Sequence, residues 1–412
     1  MVYNFDEIID RTNNNAAKYD ERKKKFGTDD VIPLWIADMD FRVPKPVEDA
    51  LIDKAGQGMF GYVSRPEEYW DSLCRWQKKK NNWDIDPSLL SFSCGVVPSL
   101  AALVRQFSNE GEEILIQTPV YPEFYEVVEN ASRNVLVSRL VETDGNYAID
   151  FADFEAKLKR GPKAFILCNP QNPVGRAWKK AELKQMGDLC VRYHVPILSD
   201  EIHGDLMLWG NKHTPMAAIS PAIAANTITC TAVSKTFNLA GLQASSVIFN
   251  NKEERNKFEK FWHDLEIHRN NCFSLVASIA AYNEGEEWLD QLLSYLEGNM
   301  QFVHDYCENY IPSIKARLPE CTYLMWLDCR GLHKTDEELN DFMIKEAKIG
   351  LNAGCDFDRE LSGFMRLNTA CPRSVLEQAM NRLKAAVEKQ KKINYNNQLK
   401  GESDVSFMGK SI

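Results

Sequence analysis

Short apolar segments alternate with helix-like segments between about residues 85 and 250. Near-continuous apolar strands followed by loops and helical patterns are typical of a parallel sheet covered by helices on both faces. We therefore predict an α/β fold whose large domain holds a mostly parallel seven-stranded sheet. The predicted strands are 89–93, 113–117, 134–139, 164–168, 196–199, 227–231 and 245–249.

The pattern changes beyond about residue 285, where helical periodicity dominates. The predicted elements are a helix at 288–311 ended by Pro312, a strand region at 321–329, and helices at 336–348 and 372–390. Together with the N-terminal segment they predict a smaller α+β domain.

The predicted domain organisation follows from this change of pattern. The large domain comprises residues 46–284, and the small domain combines residues 1–45 with 285–392. The remaining residues, 393–412, form a polar and weakly patterned tail that we expect to be poorly packed.

Charge and composition exclude several classes of partner. The 412 residues include 49 Lys and Arg against 59 Asp and Glu, a net charge of −10 without a basic stripe. Nucleic acid and anionic membranes are therefore not expected partners, because phosphate contacts need a basic face. The sequence shows no signal peptide and no segment of the ~20 apolar residues that a membrane helix needs. Eleven scattered cysteines without a C-x-x-C pair indicate reduced thiols and a cytoplasmic location.

A lysine follows the apolar segment 227–232. Lys235 belongs to the sequence Ser-Lys-Thr-Phe-Asn-Leu-Ala-Gly at 234–241. Because a desolvated ammonium is costly without a partner, this lysine either has a lowered pKa and condenses with a carbonyl compound, or extends to solvent. The segment by itself leaves both interpretations open.

Acidic residues and a histidine end another apolar strand, at 199–203. An acid at this position can pair with a protonated pyridine nitrogen and so make the ring an electron sink. Asp200 or Glu201 could equally cap a helix or bind a metal. His203 could act on a substrate or form a hydrogen bond within the wall of a site.

Two turns also lie at predicted strand ends. In Asn-Pro-Gln-Asn-Pro-Val-Gly-Arg, at 169–176, two X-Pro steps and a glycine present the Asn172 amide, which suits a phenolic oxygen. At Gly95, before a helix predicted at 99–107, backbone N–H groups and the helix dipole can face a phosphate. Each sequence would also make an ordinary turn.

Other motifs are set aside. Residues 56–61 match G-x-G-x-x-G, but they follow a helix-like segment, so the strand of a dinucleotide-binding turn is missing. The seven histidines lack metal-site spacing, and no G-x-S-x-G elbow is present. We therefore predict neither a metal site nor a serine hydrolase.

In chain order, the Gly95 turn, the Asn172 turn, residues 200–203 and Ser234-Lys235 resemble the active site of fold-type I enzymes that depend on pyridoxal 5′-phosphate (PLP), the class I/II aminotransferase superfamily. The segments 33–41, 234–241 and 366–373 resemble its MalY/PatB-like cystathionine β-lyase branch. The resemblance covers residues 3 to 390 and implies the aspartate aminotransferase-like fold.

The resemblance implies a role for each matched residue. Lys235 forms a Schiff base with PLP and, once displaced, removes the α-proton of the substrate. The implied contacts with the cofactor ring come from Asp200 at the pyridine nitrogen, Asn172 at the phenolic oxygen, stacked Tyr121 and His203. The implied phosphate-binding residues are Gly95, Val96, Val97, Ser234 and a Tyr62 reaching over from a neighbouring subunit. A homodimer with shared active sites is therefore implied.

On the substrate side, the resemblance implies that Arg366 clamps the α-carboxylate, a task that lysine performs poorly. Ala37 and Asn172 are the other implied substrate-binding residues, and Tyr121 or Tyr62 is the implied acid that protonates the leaving sulfur. Gln243 occupies the position where many aminotransferases have a phosphate-binding arginine, which the β-lyase branch commonly lacks.

The implied activity is a C–S β-lyase that converts L-cystathionine, L-cysteine or other cysteine S-conjugates to a thiol, pyruvate and ammonia. One alternative is a class I/II aminotransferase of the same fold. A second is a PLP-binding regulatory protein, against which the acidic charge argues.

Overall fold

The computed structural model describes the backbone of residues 1–408 and the side chains of residues 1–393. Within these residues the strands are β1 Ile32–Pro33, β2 Leu90–Ser93, β3 Glu113–Thr118, β4 Asn134–Thr143, β5 Asn146–Ile149, β6 Ala164–Cys168, β7 Ile197–Asp200, β8 Thr227–Thr231, β9 Ser245–Ile248, β10 Lys315–Ala316, β11 Leu324–Asp328, β12 Ile349–Gly350, β13 Asn352–Ala353 and β14 Phe364–Asn368.

Helices separate most of these strands. They are α1 Ala17–Asp20, α2 Arg22–Phe26, α3 Lys45–Gly56, α4 Glu67–Asn81, α5 Val96–Phe107, α6 Glu123–Glu129, α7 Phe151–Leu158, α8 Lys180–Arg192, α9 Pro221–Ala224, α10 Val233–Thr236, α11 Lys252–Asp264, α12 Cys272–Glu284, α13 Glu286–Tyr310, α14 Asp336–Asp341 and α15 Arg373–Met408. Within residues 1–408, no helix is both long enough and apolar enough to cross a lipid bilayer.

The large sheet confirms the predicted α/β architecture. Its strands lie in the order β2-β9-β8-β7-β6-β3-β4-β5. The strands from β8 to β4 pair in parallel, whereas β9 runs antiparallel to both of its neighbours. All seven predicted strands are present.

The predicted number of strands is wrong, because the sheet has an eighth strand at its edge. β5 pairs antiparallel with β4 across the two-residue turn Asp144-Gly145, in which both residues have positive φ. An Asp-Gly pair between two strands is a strong hairpin signal, and it was present in the sequence. The strand was missed because its four residues alternate between exposed and buried positions and lack a long apolar run.

A second sheet is built from the C-terminal part of the chain. It is antiparallel, in the order β10-β11-β14-β13, and β1 of the N-terminal segment pairs separately with β12. The long helix α13 and strand β11 lie within about two or three residues of their predictions. The helix predicted at 336–348 instead ends early, and a π-helical turn follows at Phe342–Glu346.

The last helix extends beyond its predicted end, since the backbone of α15 is helical as far as Met408. The side-chain packing of residues 394–412 lies outside the described residues, and so does the expectation of a poorly packed tail. The boundaries between a large and a small domain also stay a prediction.

The N-terminal segment is anchored by aromatic packing. The Phe5 ring lies 5.1 Å from the Phe41 ring and 5.9 Å from the Trp288 ring of α13, and all three side chains are buried. Such edge-to-face contacts add to the free energy of apolar burial. They hold the N-terminal segment, which includes the loop with Ala37, against α13.

Candidate active site

The predicted site residues lie where three neighbouring strands of the large sheet end. Asp200 is the last residue of β7, and it pairs in register with Cys168 of β6 and Cys230 of β8. The turn with Asn172 follows β6, and Lys235 lies in α10 just after β8. Ligands of open α/β sheets bind at this carboxyl edge.

The three segments that resemble one family meet in space around the loop at residues 35–41. The Asn238 side chain bonds the backbone of Met39 and Phe41, at 3.0 and 3.1 Å. The Asn368 amide donates to the carbonyls of Ile36 and Asp38, both at 2.7 Å. These bonds fix the loop between the end of β14 and the turn after α10.

Lys235 points into this junction, so the structure excludes the interpretation of a lysine that extends to solvent. Its Nζ donates a hydrogen bond of 2.6 Å to the carbonyl of Ala37, which also accepts from the Tyr323 hydroxyl at 2.9 Å. Burial, with a contribution from the Arg366 charge, lowers the pKa of Lys235 to about 8. The neutral amine, which is the nucleophilic form, is therefore far more abundant near neutral pH than in an ordinary lysine.

The short helix α10, which contains Lys235, is held in place through the carboxylate of Asp205. The Thr236 hydroxyl donates to the Asp205 carboxylate at 2.9 Å, and the Trp76 indole N–H donates to the same carboxylate at 2.9 Å. These partners hold α10 in place and so set the direction of Lys235.

The two neighbouring acids of the 199–203 segment have different environments. Asp200 is buried and, among the described side chains, accepts one hydrogen bond, from the Ile202 N–H at 3.0 Å. Burial raises the pKa of Asp200 to about 7. Glu201 instead accepts from Ser199 and Met216 and pairs with His213 at 2.9 Å. Of the two acids, Asp200 is therefore the one whose carboxylate can accept a further hydrogen bond from a bound group.

His203 is buried beside Tyr323, with 6.2 Å between their ring centroids. Burial lowers the pKa of His203 to about 3, so the imidazole is neutral. Its Nδ1 has no hydrogen-bond partner among the described residues. A buried polar atom without a partner is unusual and marks a place for a bound group.

Arg366 of β14 reaches across to the turn after β6. Its guanidinium donates to Asn172 Oδ1 at 3.2 Å, to the Trp35 carbonyl at 3.1 Å and to Asn352 Oδ1 at 2.9 Å, and it lies 4.7 Å from the Phe357 ring centroid. Its Nε is buried and has no partner among the described residues. Arg366 is thus held by neutral groups, which leaves its charge available for an anion.

The Gly95 turn forms the start of α5. This helix begins at Val96 and not at residue 99 as predicted, because Pro98 occupies the first turn, where its missing N–H costs no helical bond. The Ser93 and Ser99 hydroxyls donate to the Gly95 carbonyl, at 3.1 and 2.8 Å. Val96 and Val97 therefore present backbone N–H groups at the positive end of the helix. Ser234 is at the second position of α10.

A side chain at Gly95 would be crowded, since its Cβ would lie 3.1 Å from the Pro98 ring. The backbone at this turn can therefore approach a ligand more closely than it could with another residue.

The two predicted tyrosines differ in position. Tyr121 lies just before α6, and burial and the neighbouring Glu123 raise the pKa of Tyr121 well above its ordinary value. The Tyr62 side chain is 97% exposed and lies beside Arg269, 5.9 Å from ring centroid to guanidinium. Within one chain, Tyr62 is not part of the cluster around Lys235.

Three residues near the site were not predicted. Tyr323 shares the Ala37 carbonyl with Lys235, Asn352 bonds Arg366, and Glu123 lies beside Tyr121. Tyr323 directly precedes β11 and Asn352 lies in β13, and no local motif marks them. Glu123 is two residues from a predicted site residue, and an acid after Tyr-Pro was a signal that could have been used.

The fold and this arrangement of residues define a class of protein, and a comparison with known families agrees. The chain belongs to the family "Aminotransferase class I and II", whose sequence model matches residues 29–383.

Individual relatives resemble almost the whole chain. Cystathionine β-lyase PatB of Bacillus subtilis is 40% identical over 385 residues, which are 93% of this chain and 100% of PatB. The crystal structure of cystalysin from Treponema denticola, which contains a pyridoxal 5′-phosphate cofactor, is 35% identical with a TM-score of 0.92, and the match covers 95% of this chain and 100% of cystalysin. The PLP-bound C–S lyase of Staphylococcus hominis is 33% identical with a TM-score of 0.87, over 94% and 98% of the two chains.

Proposed function

We propose that this protein is a PLP-dependent C–S β-lyase that cleaves L-cystathionine to a thiol, pyruvate and ammonia. The observation that carries the proposal is the cluster of buried Asp200, Asn172 and Arg366 with half-buried Lys235, in a chain so similar to a cystathionine β-lyase and to C–S lyases. L-Cysteine and other cysteine S-conjugates are further proposed substrates.

The residues present fit a bound PLP. The cluster combines an amine of lowered pKa, a buried carboxylate with free acceptor capacity and two buried nitrogens without partners. The cofactor would meet Lys235 at its aldehyde carbon, Asp200 at its pyridine nitrogen and His203 in the wall around it, and Arg366 Nε would remain for the substrate. Asn172 would bond the phenolic oxygen, and Tyr121 would stack on the ring.

The phosphate of the cofactor would lie at the start of α5. The donors there are the backbone N–H groups of Gly95, Val96 and Val97, and Ser234 adds a hydroxyl from α10. An anion at this position also interacts favourably with the helix dipole.

The cofactor supplies an electron sink for the electrons released at the substrate α-carbon. Arg366 binds the substrate α-carboxylate, and Asn172, bonded to its guanidinium, and Ala37 complete that subsite. Lys235, when not attached to the cofactor, would take the α-proton on its Nζ, because its lowered pKa makes the neutral amine more abundant than in an ordinary lysine. Asp200 would pair with the pyridine N–H and so hold the ring in its protonated form.

The assembled protein is proposed to be a homodimer with shared sites. Tyr62 is fully exposed in one chain and lies beside Arg269. Exposed apolar residues flank both positions in the sequence, and they are Met59, Phe60, Leu265 and Ile267. Exposed apolar residues of this kind are typical of protein interfaces. In the dimer, Tyr62 of one subunit would reach the phosphate or the leaving group in the site of the other.

The two proposed domains supply different groups to the site. Residues 46–284 supply the cofactor-binding groups, and the small domain, residues 1–45 and 285–392, supplies Ala37 and Arg366 for the substrate.

The test is to incubate the purified holoenzyme with L-cystathionine and no keto acid, and to measure pyruvate, ammonia and free thiol. Equal amounts of all three over many turnovers are expected, and a Lys235→Ala variant should release none. If product forms only with an added keto acid, and as a new amino acid, the protein is an aminotransferase and the proposal is wrong.

A further inference from the structure

Lys18 is a buried lysine outside the predicted site, and the proposed mechanism gives it no role. It lies on α1 of the N-terminal segment, and its side chain is 0% exposed. Its Nζ donates to the Asp40 carboxylate at 2.8 Å and to the Asp38 carbonyl at 3.4 Å, and its own carbonyl accepts from the Trp35 indole N–H at 3.1 Å. Lys18 therefore bonds the loop at residues 35–41 at three points.

The charge of Lys18 is compensated inside a small buried network. Asp40, its ion-pair partner, is also buried and accepts from the Arg11 guanidinium at 2.7 Å. Arg11 in turn donates to the Asp38 carboxylate at 2.8 Å. A buried polar network of this kind favours one arrangement of its members, because any member left without its partner costs free energy. The network therefore holds the loop 35–41 in one position relative to α1.

The same loop contacts two basic side chains of the proposed site through its backbone carbonyls. The Ala37 carbonyl accepts from Lys235 Nζ at 2.6 Å, and the Trp35 carbonyl accepts from the Arg366 guanidinium at 3.1 Å. In the proposed reaction, Lys235 takes the α-proton of the substrate whose carboxylate Arg366 binds. The position of one loop therefore influences where both side chains point.

The Ala37 carbonyl also limits the direction in which the free Lys235 amine can accept a proton. A neutral amine that donates a hydrogen atom to a fixed carbonyl turns its lone pair away from that oxygen. Proton transfer requires a lone pair aimed at the α-hydrogen, and a misplacement of about 1 Å can lower a rate about 10²-fold. A displaced loop would leave the amine present but poorly aimed.

We propose that Lys18 is a positioning residue for the reaction. Through Asp40 and Trp35 it holds the loop 35–41 in the position from which the loop carbonyls aim the base and the carboxylate clamp at one substrate. Lys18 acts only through the loop and takes part in no chemical step. The inference rests on the proposed lyase function.

Binding of the cofactor should not depend on Lys18. Among the described residues, Asp200 and the start of α5 make no hydrogen bond to Lys18 or to the loop 35–41. Loss of Lys18 should therefore impair the reaction while PLP is retained.

The test uses two variants that differ in stability. Lys18→Met removes the cation and leaves Asp40 without its ion-pair partner on α1, so this variant should melt below wild type. Lys18→Met combined with Asp40→Asn removes both charges, and replacement of both members of a buried pair is often neutral for stability. The double variant should therefore recover most of the lost melting temperature, whereas the ion pair that holds the loop stays absent.

Both variants should keep PLP and lose turnover. With L-cystathionine, kcat should fall about 10-fold or more and KM should rise. The α-deuterated substrate should show a larger isotope effect on kcat than in wild type, because proton transfer has become slower. Hydrogen–deuterium exchange of the PLP-bound protein should be faster at residues 35–41 in both variants. The exposed Lys24→Met on α2 is the matched control and should behave as wild type.

A double variant that recovers turnover together with stability would show that Lys18 has only a structural role, and an unchanged kcat in either variant would also overturn the inference. So would a lower rate with unchanged KM and isotope effect, which indicates only a smaller folded population. If neither variant folds, Trp35→Phe, which removes the bond to the Lys18 carbonyl, must show the same changes in kcat and isotope effect. A wild-type protein that releases no pyruvate from L-cystathionine would instead overturn the proposed lyase function.

Discussion

The Arg366 guanidinium donates a hydrogen bond of 3.2 Å to the side-chain oxygen of Asn172, and this bond joins the C-terminal sheet to the large sheet. The two residues are 194 positions apart in the chain. The bond brings the proposed carboxylate clamp of the substrate to the proposed ligand of the cofactor's phenolic oxygen. With these proposed roles, one hydrogen bond would link the substrate-binding arginine to the ligand of the cofactor ring.

Replacement of Arg366 by lysine should weaken substrate binding more than folding. Lysine keeps the charge but cannot bond a carboxylate bidentately while it also reaches Asn172. The loss of a buried charge-assisted contact is about 2–5 kcal/mol, so kcat/KM should fall by about 30-fold or more, mainly through a higher KM. Steady-state kinetics with L-cystathionine provides the measurement. Arg359→Lys, at an exposed ion pair with Glu129, is the control and should be unchanged.

Replacement of Lys235 by alanine should abolish turnover without unfolding the protein. The side chain makes one hydrogen bond, to Ala37, so little stability depends on it. Borohydride reduction followed by mass spectrometry should find PLP attached to wild type at Lys235 and not attached to the variant. The exposed Lys184→Ala serves as the control. A Lys235→Ala protein that keeps the covalent cofactor would contradict the assignment.

Asp200→Asn should affect stability and activity in opposite directions. Burial raises the pKa of Asp200 to about 7, whereas an unfolded chain has a value of about 3.9. Between these values the cofactor-free folded state binds more protons than the unfolded state, so its stability falls as pH rises across this window. The cofactor-free variant should therefore melt above wild type at pH 8 and lose this advantage towards pH 4.

The holoenzyme should show the reverse effect for Asp200→Asn, because an amide cannot pair with a positively charged pyridine nitrogen. We expect weaker retention of PLP and slower turnover. Thermal melts at several pH values and a lyase assay measure the two effects. Asp188→Asn, at an exposed helix position, is the control, and a stability difference that does not vary with pH would contradict the prediction.

The partner subunit's Tyr62 can be tested by mixing subunits. Tyr62→Ala and Lys235→Ala homodimers should each be nearly inactive. Random exchange makes half of the dimers mixed, and each mixed dimer has one intact site, so activity should return to about a quarter of wild type. The exposed Tyr310→Ala in place of Tyr62→Ala is the matched control and should be active from the start. Absence of recovery despite proven exchange would rule out a shared site.

Much of the large sheet could be predicted from local pattern alone. The strands that end at Cys168, Asp200 and Thr231 are short β-rich segments whose residues are all buried, as expected for strands covered on both faces of a parallel sheet. Since parallel strands end at one edge, the sequence by itself determined that Asn172, Asp200 and Lys235 lie close together. The edge hairpin at Asp144-Gly145 was missed because its strand is short and half exposed.

Only the tertiary structure decided which groups meet across the two sheets. The contacts of Lys235 with Ala37, of Tyr323 with Ala37, and of Arg366 with Asn172 join segments that no local periodicity connects. The burial that lowers the pKa of Lys235 and raises those of Asp200 and Glu123 is likewise a property of packing. Sequence pattern specifies which faces are apolar, but a pKa depends on the solvent and charges around a group, and these exist only after the chain has folded.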